Sequence, residues 1–262
     1  DGTQPNSYSF GSIGGSTNIN TRPSALPTGS KVGMALSNRS YKYRVSFLHS
    51  TGMMNNGWAF AASGVIRYAH EGINEGTFYN SGAYFLSAEK KFNEKHSISL
   101  ATFGAPTQRG QSSPATQETY YLANSIYYNS YWGYQEGEKR NSRVVKSFDP
   151  TLIFSHDFKI DQNQQIKTGA AFHYSMYSNS ALTFFNAPDP RPDYYRNLPS
   201  FQYDGQVGLD GNINGNPNQD MINELTNAWH NRDPLYTQIS WDSLYQANYR
   251  NNLANPTGNA KY

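Results

Sequence analysis

The 262-residue chain contains no cysteine. That removes a disulfide framework, a thiolate zinc site and a cysteine nucleophile together. Charge is also scarce: Asp, Glu, Lys and Arg make up 15% of the residues, where an ordinary soluble domain has about 25%. The charge that is present nearly balances, 21 Lys+Arg against 19 Asp+Glu for a net +2, so there is no basic stripe for nucleic acid. No apolar run reaches the roughly 18 residues that a membrane-crossing helix needs, and the opening residues do not read as a signal peptide. Mean hydropathy is −0.74, so aliphatic groups have not replaced the missing charge. Uncharged polar residues have, 28 of them Asn, together with 21 Tyr, 14 Phe and 4 Trp. Many rings with little charge argue against disorder. The classes left are an all-β soluble protein and a β-barrel, whose membrane signal alternates along its strands and escapes averaging.

Period-two alternation recurs over the first 180 residues or so. In 58–68 one face reads Trp58, Phe60, Ala62, Gly64, Ile66, Tyr68, and the other Ala59, Ala61, Ser63, Val65, Arg67. Aromatic rings close both ends of the apolar face, as suits a strand anchored at two bilayer interfaces. At ~3.3 Å per residue such a strand spans roughly 33–36 Å, enough to cross hydrocarbon at a tilt. The same alternation predicts seven strands, about 31–38, 41–51, 58–69, 79–92, 96–105, 146–160 and 165–178, with His156 and Ile153 breaking the pattern. The expected lipid-facing set includes Trp58, Phe60, Ile66, Phe154, Phe172 and Tyr174. The expected lumen-facing set includes Lys42, Arg44, Ser63, Arg67, Lys167 and His173.

The connections alternate in length. Residues 53–57, 93–95 and 161–164 are tight polar turns of Asn, Gly and Asp, which tolerate positive φ. The links 70–78, 106–145 and 179 onward are long; only 37–40 is short on that side. Short turns at one end and long loops at the other are the habit of outer-membrane barrels. A soluble or surface-anchored β-sandwich, binding carbohydrate through its loops, is the alternative. Sandwich strands usually run about five or six residues, and several here exceed ten.

No catalytic constellation is present: the six histidines are scattered, and neither a nucleophile elbow nor a phosphate loop occurs. The expectation is a protein that is not an enzyme and needs no cofactor. Ligand contacts are expected among the loop aromatics and their neighbours, namely Tyr127, Tyr128, Tyr131, Trp132, Tyr134, Arg191, Tyr194 and Tyr195. Rings beside polar groups stack on sugars or grip peptides; the competing reading is that they pack the loops against one another. Asp210, Asn212, Asn214 and Asp220 begin a D-x-N-x-N-G loop of calcium type, although its twelfth position is Met221 instead of Glu. Residues 221–229 read as a short helix with Asp220 as N-cap.

Residues 11–24, G-S-I-G-G-S-T-N-I-N-T-R-P-S, resemble the end of the plug domain of TonB-dependent receptors. Gly14 and Gly15 would be the plug hinge, where a left-handed turn or close approach favours glycine. Further on, S-N-R-S-Y-K-Y-R (37–44), S-T-G-M-M-N-N-G-W (50–58), E-K-H-S-I-S-L (94–100), Y-Y-N-S-Y-W-G-Y-Q (127–135), R-N-S-R-V (140–144) and A-P-D-P-R-P-D-Y-Y-R-N-L-P-S (187–200) are similar to receptors of this family from Bacteroidetes-type bacteria. The resemblance implies a barrel of about 22 strands around a plug, importing an extracellular ligand into the periplasm. It implies a place in the cell outer membrane and lipid around the barrel. TonB would act through an N-terminal segment that this chain lacks, and a surface lipoprotein is a candidate partner. The chain would be an antiparallel transmembrane β-barrel fragment of about seven up-and-down strands with long external loops. Residues 1–28 would end the plug and link to the barrel, 29–178 would form the first barrel strands, and 179–262 a long external loop of the incomplete barrel. The remainder of the same receptor, plug and later strands, would complete it.

Overall fold

The computed structural model describes residues 19–204 and 218–262. The expected hinge glycines Gly14 and Gly15, and Asp210, Asn212 and Asn214 of the calcium-type loop, lie outside the described residues.

One large antiparallel sheet dominates. Its strands are β1 (Gly29–Leu36), β2 (Tyr43–Ser50), β3 (Trp58–Ala69), β4 (Tyr79–Lys91), β5 (His96–Gly104), β6 (Thr107–Gly110), β9 (Val144–Phe148), β10 (Thr151–Lys159), β11 (Gln165–His173) and β12 (Met176–Asn179). A separate hairpin joins β7 (Trp132–Gln135) to β8 (Glu138–Asn141). The main path runs β1-β2-β3-β4-β5-β10-β11, each strand beside its neighbour in an up-and-down meander. The ladders keep register through the breaks between β5 and β6, β9 and β10, and β11 and β12. The first two breaks hold Pro106 and Pro150, which have no N–H to donate, yet their carbonyls still accept from Gly82 (2.9 Å) and Tyr174 (3.1 Å). The ten strands of the sheet therefore trace seven long paths, at 29–36, 43–50, 58–69, 79–91, 96–110, 144–159 and 165–179. These correspond to the seven expected segments, with ends that differ by no more than two residues except at 110, five beyond the expected 105. The edges at β1 and β11 meet no further strand among the described residues.

Side-chain oxygens organise the three tight turns. Asn56 Oδ1 accepts from Trp58 N (3.2 Å), Asn93 Oδ1 from Lys95 N and His96 N (2.8 Å each), and Asp161 Oδ1 from Asn163 N (2.7 Å) and Gln164 N (2.9 Å). A short polar side chain that bonds backbone two or three residues on folds the chain back without outside help.

The register carries one apolar surface across all seven paths. Met34 pairs Val45, which pairs Ile66; Phe60 pairs Ala88, which pairs Leu100; Leu100 pairs Phe154, and Leu152 pairs Phe172. These large side chains stand in the open, with Met34 81% exposed, Ile66 65% and Phe172 66%. Among the described residues no second sheet encloses Trp58, Phe60, Ile66 or Phe172, all of which are exposed; Tyr174 is exposed as well. Arg44, Ser63, Arg67, Lys167 and His173 share the opposite face, and Lys42 precedes β2. His156 does stand among apolar side chains, where its Nε2 meets His96 Nδ1 at 3.2 Å and Phe158 stacks on the His96 ring.

The opposite face is mostly small and polar, with Leu48, Val65, Phe85, Phe103 and Ile153 as its large apolar members, and residues 19–28 lie against it. Its buried residues include Ser50, Ala59, Ala61, Ser87, Glu89, Ser99 and Ala101. Arg22 reaches across three strands, pairing Glu89 of β4 at 3.2 Å and Asp157 of β10 at 2.9 Å. Ser87 donates to Thr21 O (2.8 Å), and Ser50 to Pro23 O (3.4 Å).

Candidate functional site

The long links gather at one end of the sheet into a cap. It contains the β7–β8 hairpin and the helices α1 (Gln117–Leu122), α2 (Pro199–Asp204), α3 (Gln219–His230), α4 (Pro234–Thr237) and α5 (Trp241–Ala254). Helix α3 forms as expected but is capped two residues earlier. Asn218, not Asp220, is its N-cap, accepting from Met221 N at 3.1 Å. Asp220 lies exposed in the first turn, where a negative charge suits the helix dipole. Among the described residues no group of three or more acidic or imidazole side chains is placed to hold a metal.

A hydrophobic core holds the cap together, built from Leu122, Ala123, Tyr128, Leu198 and Trp229. Tyr128 and Trp229 rings meet at 5.2 Å, and the Tyr128 hydroxyl donates to Thr237 O at 2.9 Å. Burial, with the Asp193 and Glu75 carboxylates nearby, pushes the Tyr128 phenol far above its ordinary value. Asn side chains stitch the loops. Asn129 Nδ2 donates to Glu75 O (2.8 Å) and Gln111 O (3.2 Å), while Asn141 Nδ2 donates to Gly76 O and Gln111 O (2.9 Å each). An Arg232–Glu75 ion pair (2.8 Å) ties α3's end to the 70–78 link. Two glycines permit close approach. Gly76, at φ +64, lies under the Trp132 ring, and a Cβ on Gly133 would overlap the Ile239 carbonyl.

The segment 188–197 folds tightly on this core. Asp189 holds the Arg191 guanidinium with Nε at 3.0 Å from both oxygens and Nη2 at 2.5 Å from Oδ2. Asp193 faces Ser130 and lies deep enough that burial raises its pKa, against the opposing pull of Ser130 and Arg191. Its Oδ1 has no hydrogen-bond partner among the described residues. Tyr194, Tyr195 and Phe201 follow as an edge-to-face row with centroids 4.7 and 5.5 Å apart. Arg196 lies over the Tyr195 and Phe201 rings at 5.7 and 5.9 Å, with Nε donating to the Tyr195 hydroxyl at 3.0 Å. That guanidinium holds the exposed Tyr195 phenol below its ordinary value. Beside this row a cleft of about 400 Å³ opens between the 190–197 segment and helices α3 to α5, within the ~300–1,000 Å³ usual for ligand sites.

The expected ligand residues divide. Tyr128 and Trp132 are 1% and 5% exposed and are taken up by packing: Trp132 meets Tyr134 edge-on at 5.5 Å and lies beneath Lys139 Nζ at 4.8 Å. For these two the loop-packing reading holds. Tyr127, Tyr134 and Tyr195 stand about half exposed. Tyr131 is half-buried with Arg143 over its ring at 5.5 Å. Arg191 lines the cleft and Tyr194 stands beside it, whereas Tyr127 and Tyr134 do not line it. Sequence reasoning missed Arg196, Leu235 and Gln238, all of which line the cleft. Arg196 had a readable signal, a cation directly after two tyrosines; Leu235 and Gln238 had none.

No family model matches the chain, and no curated protein or solved structure matches it.

Proposed function

We propose that the chain is a wall section of an outer-membrane importer of the TonB-dependent receptor kind. Its apolar sheet face meets lipid, its polar face lines the interior, and its cap meets an extracellular ligand bound for the periplasm. One observation carries this reading. Most of the large aliphatic and aromatic side chains of the seven paths share an exposed face, while the covered face is mainly Ser, Ala, Glu, Arg and Asp, with Leu48, Val65, Phe85, Phe103 and Ile153 among them. A soluble protein buries the first set and exposes the second; a lipid solvent reverses the arrangement. The tight turns at one end and the cap at the other agree with it, as do the two open edges, which further strands of the same receptor would pair. In this reading residues 19–28 are the link from plug to barrel, drawn along the interior wall. TonB and a surface lipoprotein are partners only in the intact receptor.

A soluble sandwich would need a second layer over Phe60, Ile66 and Phe172, and none covers them among the described residues. The absence of cysteine makes the test clean. Ile66→Cys and Ser63→Cys variants carry an environment-sensitive fluorophore, and the protein is reconstituted into phosphatidylcholine vesicles containing doxyl-labelled lipid. The Ile66 label is quenched by lipid and the Ser63 label is not. Ile66→Lys lowers insertion by about 2–4 kcal/mol if the site is near the midplane. A chain that stays monodisperse without detergent, with both labels unquenched, overturns the reading.

A further inference from the structure

We infer that the cleft beside Arg196 binds a branched aliphatic carboxylate of the kind presented by the hydrophobic C-terminal end of a peptide. The cleft has an apolar floor and a polar rim. Leu225 is buried in its wall, while Met221 is 37% and Leu235 76% exposed. An exposed leucine at the mouth of a cleft is an unfavourable contact with water that an apolar ligand group relieves. Leu244 extends the same surface. The two arginines in the cleft differ. Arg191 is already paired with the Asp189 carboxylate through Nε and Nη2, whereas Arg196 meets only aromatic rings and a phenol, with no carboxylate partner among the described residues. With only its Nε engaged, by the Tyr195 hydroxyl, this guanidinium keeps its terminal N–H donors for a planar carboxylate.

The rim selects among carboxylates. Gln202 and Gln238 line the cleft, and their amides make no side-chain hydrogen bond among the described residues. Primary amides pair with peptide N–H and C=O groups at once, and a fatty acid offers no such partner. The floor also separates peptide from glycan. Sugar rings stack on flat aromatic faces, and here the apolar lining is three leucines and a methionine beside a single ring, Tyr236, whose hydroxyl donates to Glu224 at 2.7 Å.

This deepens the importer reading by naming a cargo class, and it is tested by binding, not transport. Isothermal titration calorimetry of the full chain in a polyoxyethylene detergent compares four probes: N-acetyl-leucyl-leucine, its C-terminal amide, decanoate and a cello-oligosaccharide. The free acid binds at least tenfold more tightly than the amide, and decanoate and the oligosaccharide bind more weakly than either. Arg196→Gln removes the preference for acid over amide. Leu235→Asn weakens both peptides several-fold and keeps the preference, and Lys159→Gln, an exposed residue at the tight-turn end of β10, changes neither. Circular dichroism of each variant confirms folding, and Gln238→Ala serves as a second probe of the rim should Arg196→Gln fail that check. Equal affinity for acid and amide, a preference that survives Arg196→Gln, or tighter binding of decanoate or oligosaccharide refutes the inference. A chain that binds no peptide while its Ile66 label is still quenched by lipid refutes the cleft assignment alone.

Discussion

Replacing Arg22 with methionine tests the polar latch under the sheet while conserving much of the side chain's volume. The guanidinium reaches Glu89 at 3.2 Å, Asp157 at 2.9 Å and the Ser97 hydroxyl at 3.2 Å. Once it is gone, Glu89 retains a single partner, the Ser24 N–H at 3.2 Å. The Glu89 side chain is 6% exposed and that of Asp157 24%. Removing one member of a fully buried pair costs about 3–5 kcal/mol, because the other charge is left desolvated. An exposed pair is worth about 0.2–1 kcal/mol. Glu89 sits near the first limit, Asp157 nearer the second, and the Ser24 N–H softens the loss. The expected cost is therefore about 2–4 kcal/mol. Urea unfolding in detergent micelles measures it as a lower midpoint at unchanged slope. The same substitution in a Glu89→Gln, Asp157→Asn background should cost less than about 1 kcal/mol, since no stranded carboxylate remains. An equal cost in both backgrounds refutes the reasoning. So does a cost that vanishes in 1 M salt, because screening of that kind belongs to exposed charges.

Two further outcomes follow from the cap. Tyr128→Phe removes the hydroxyl that donates to Thr237 O and strands that buried carbonyl, so the cap loses about 1–3 kcal/mol, visible as earlier loss of the near-ultraviolet dichroism of the adjacent Trp229. An unchanged transition would mean that the hydrogen bond contributes nothing. Asp193→Asn acts in the opposite direction. Burial raises the folded-state pKa of Asp193, so the unfolded chain releases the proton first. Stability is lost as pH climbs from the unfolded value, about 3.9, through the raised folded value. The asparagine variant should melt higher than the parent at pH 7, and the gap should close below about pH 4. A gap that widens on acidification refutes the assignment.

The strands were legible because their evidence is local. In Trp58–Ala69 side chains alternate between two faces by backbone geometry alone, and a stretch of that length fixes which residues travel together. The turns were legible for the same reason, since Asn93 and Asp161 bond backbone within three residues. The strand expected at 96–105 ran on to 110 because Pro106 reads as a break, while the ladder passes through it by way of its carbonyl, as it does at Pro150 inside the expected 146–160 strand.

The cap was not legible in that way. Tyr127 and Tyr128 are neighbours of identical type, yet one is 44% exposed and the other 1%. What separates them is Thr237, 109 residues further along the chain, and Trp229 packed beside it. Arg191 and Arg196 likewise look alike in sequence, and only the folded segment gives Asp189 to the first and aromatic rings to the second. By itself the sequence determined the strands, their two faces and the tight turns, because those follow from periodicity and from hydrogen bonds between near neighbours. Tertiary structure alone decided which rings are buried and which cation is left without a carboxylate, because burial and pairing there depend on segments that meet only when the chain is folded.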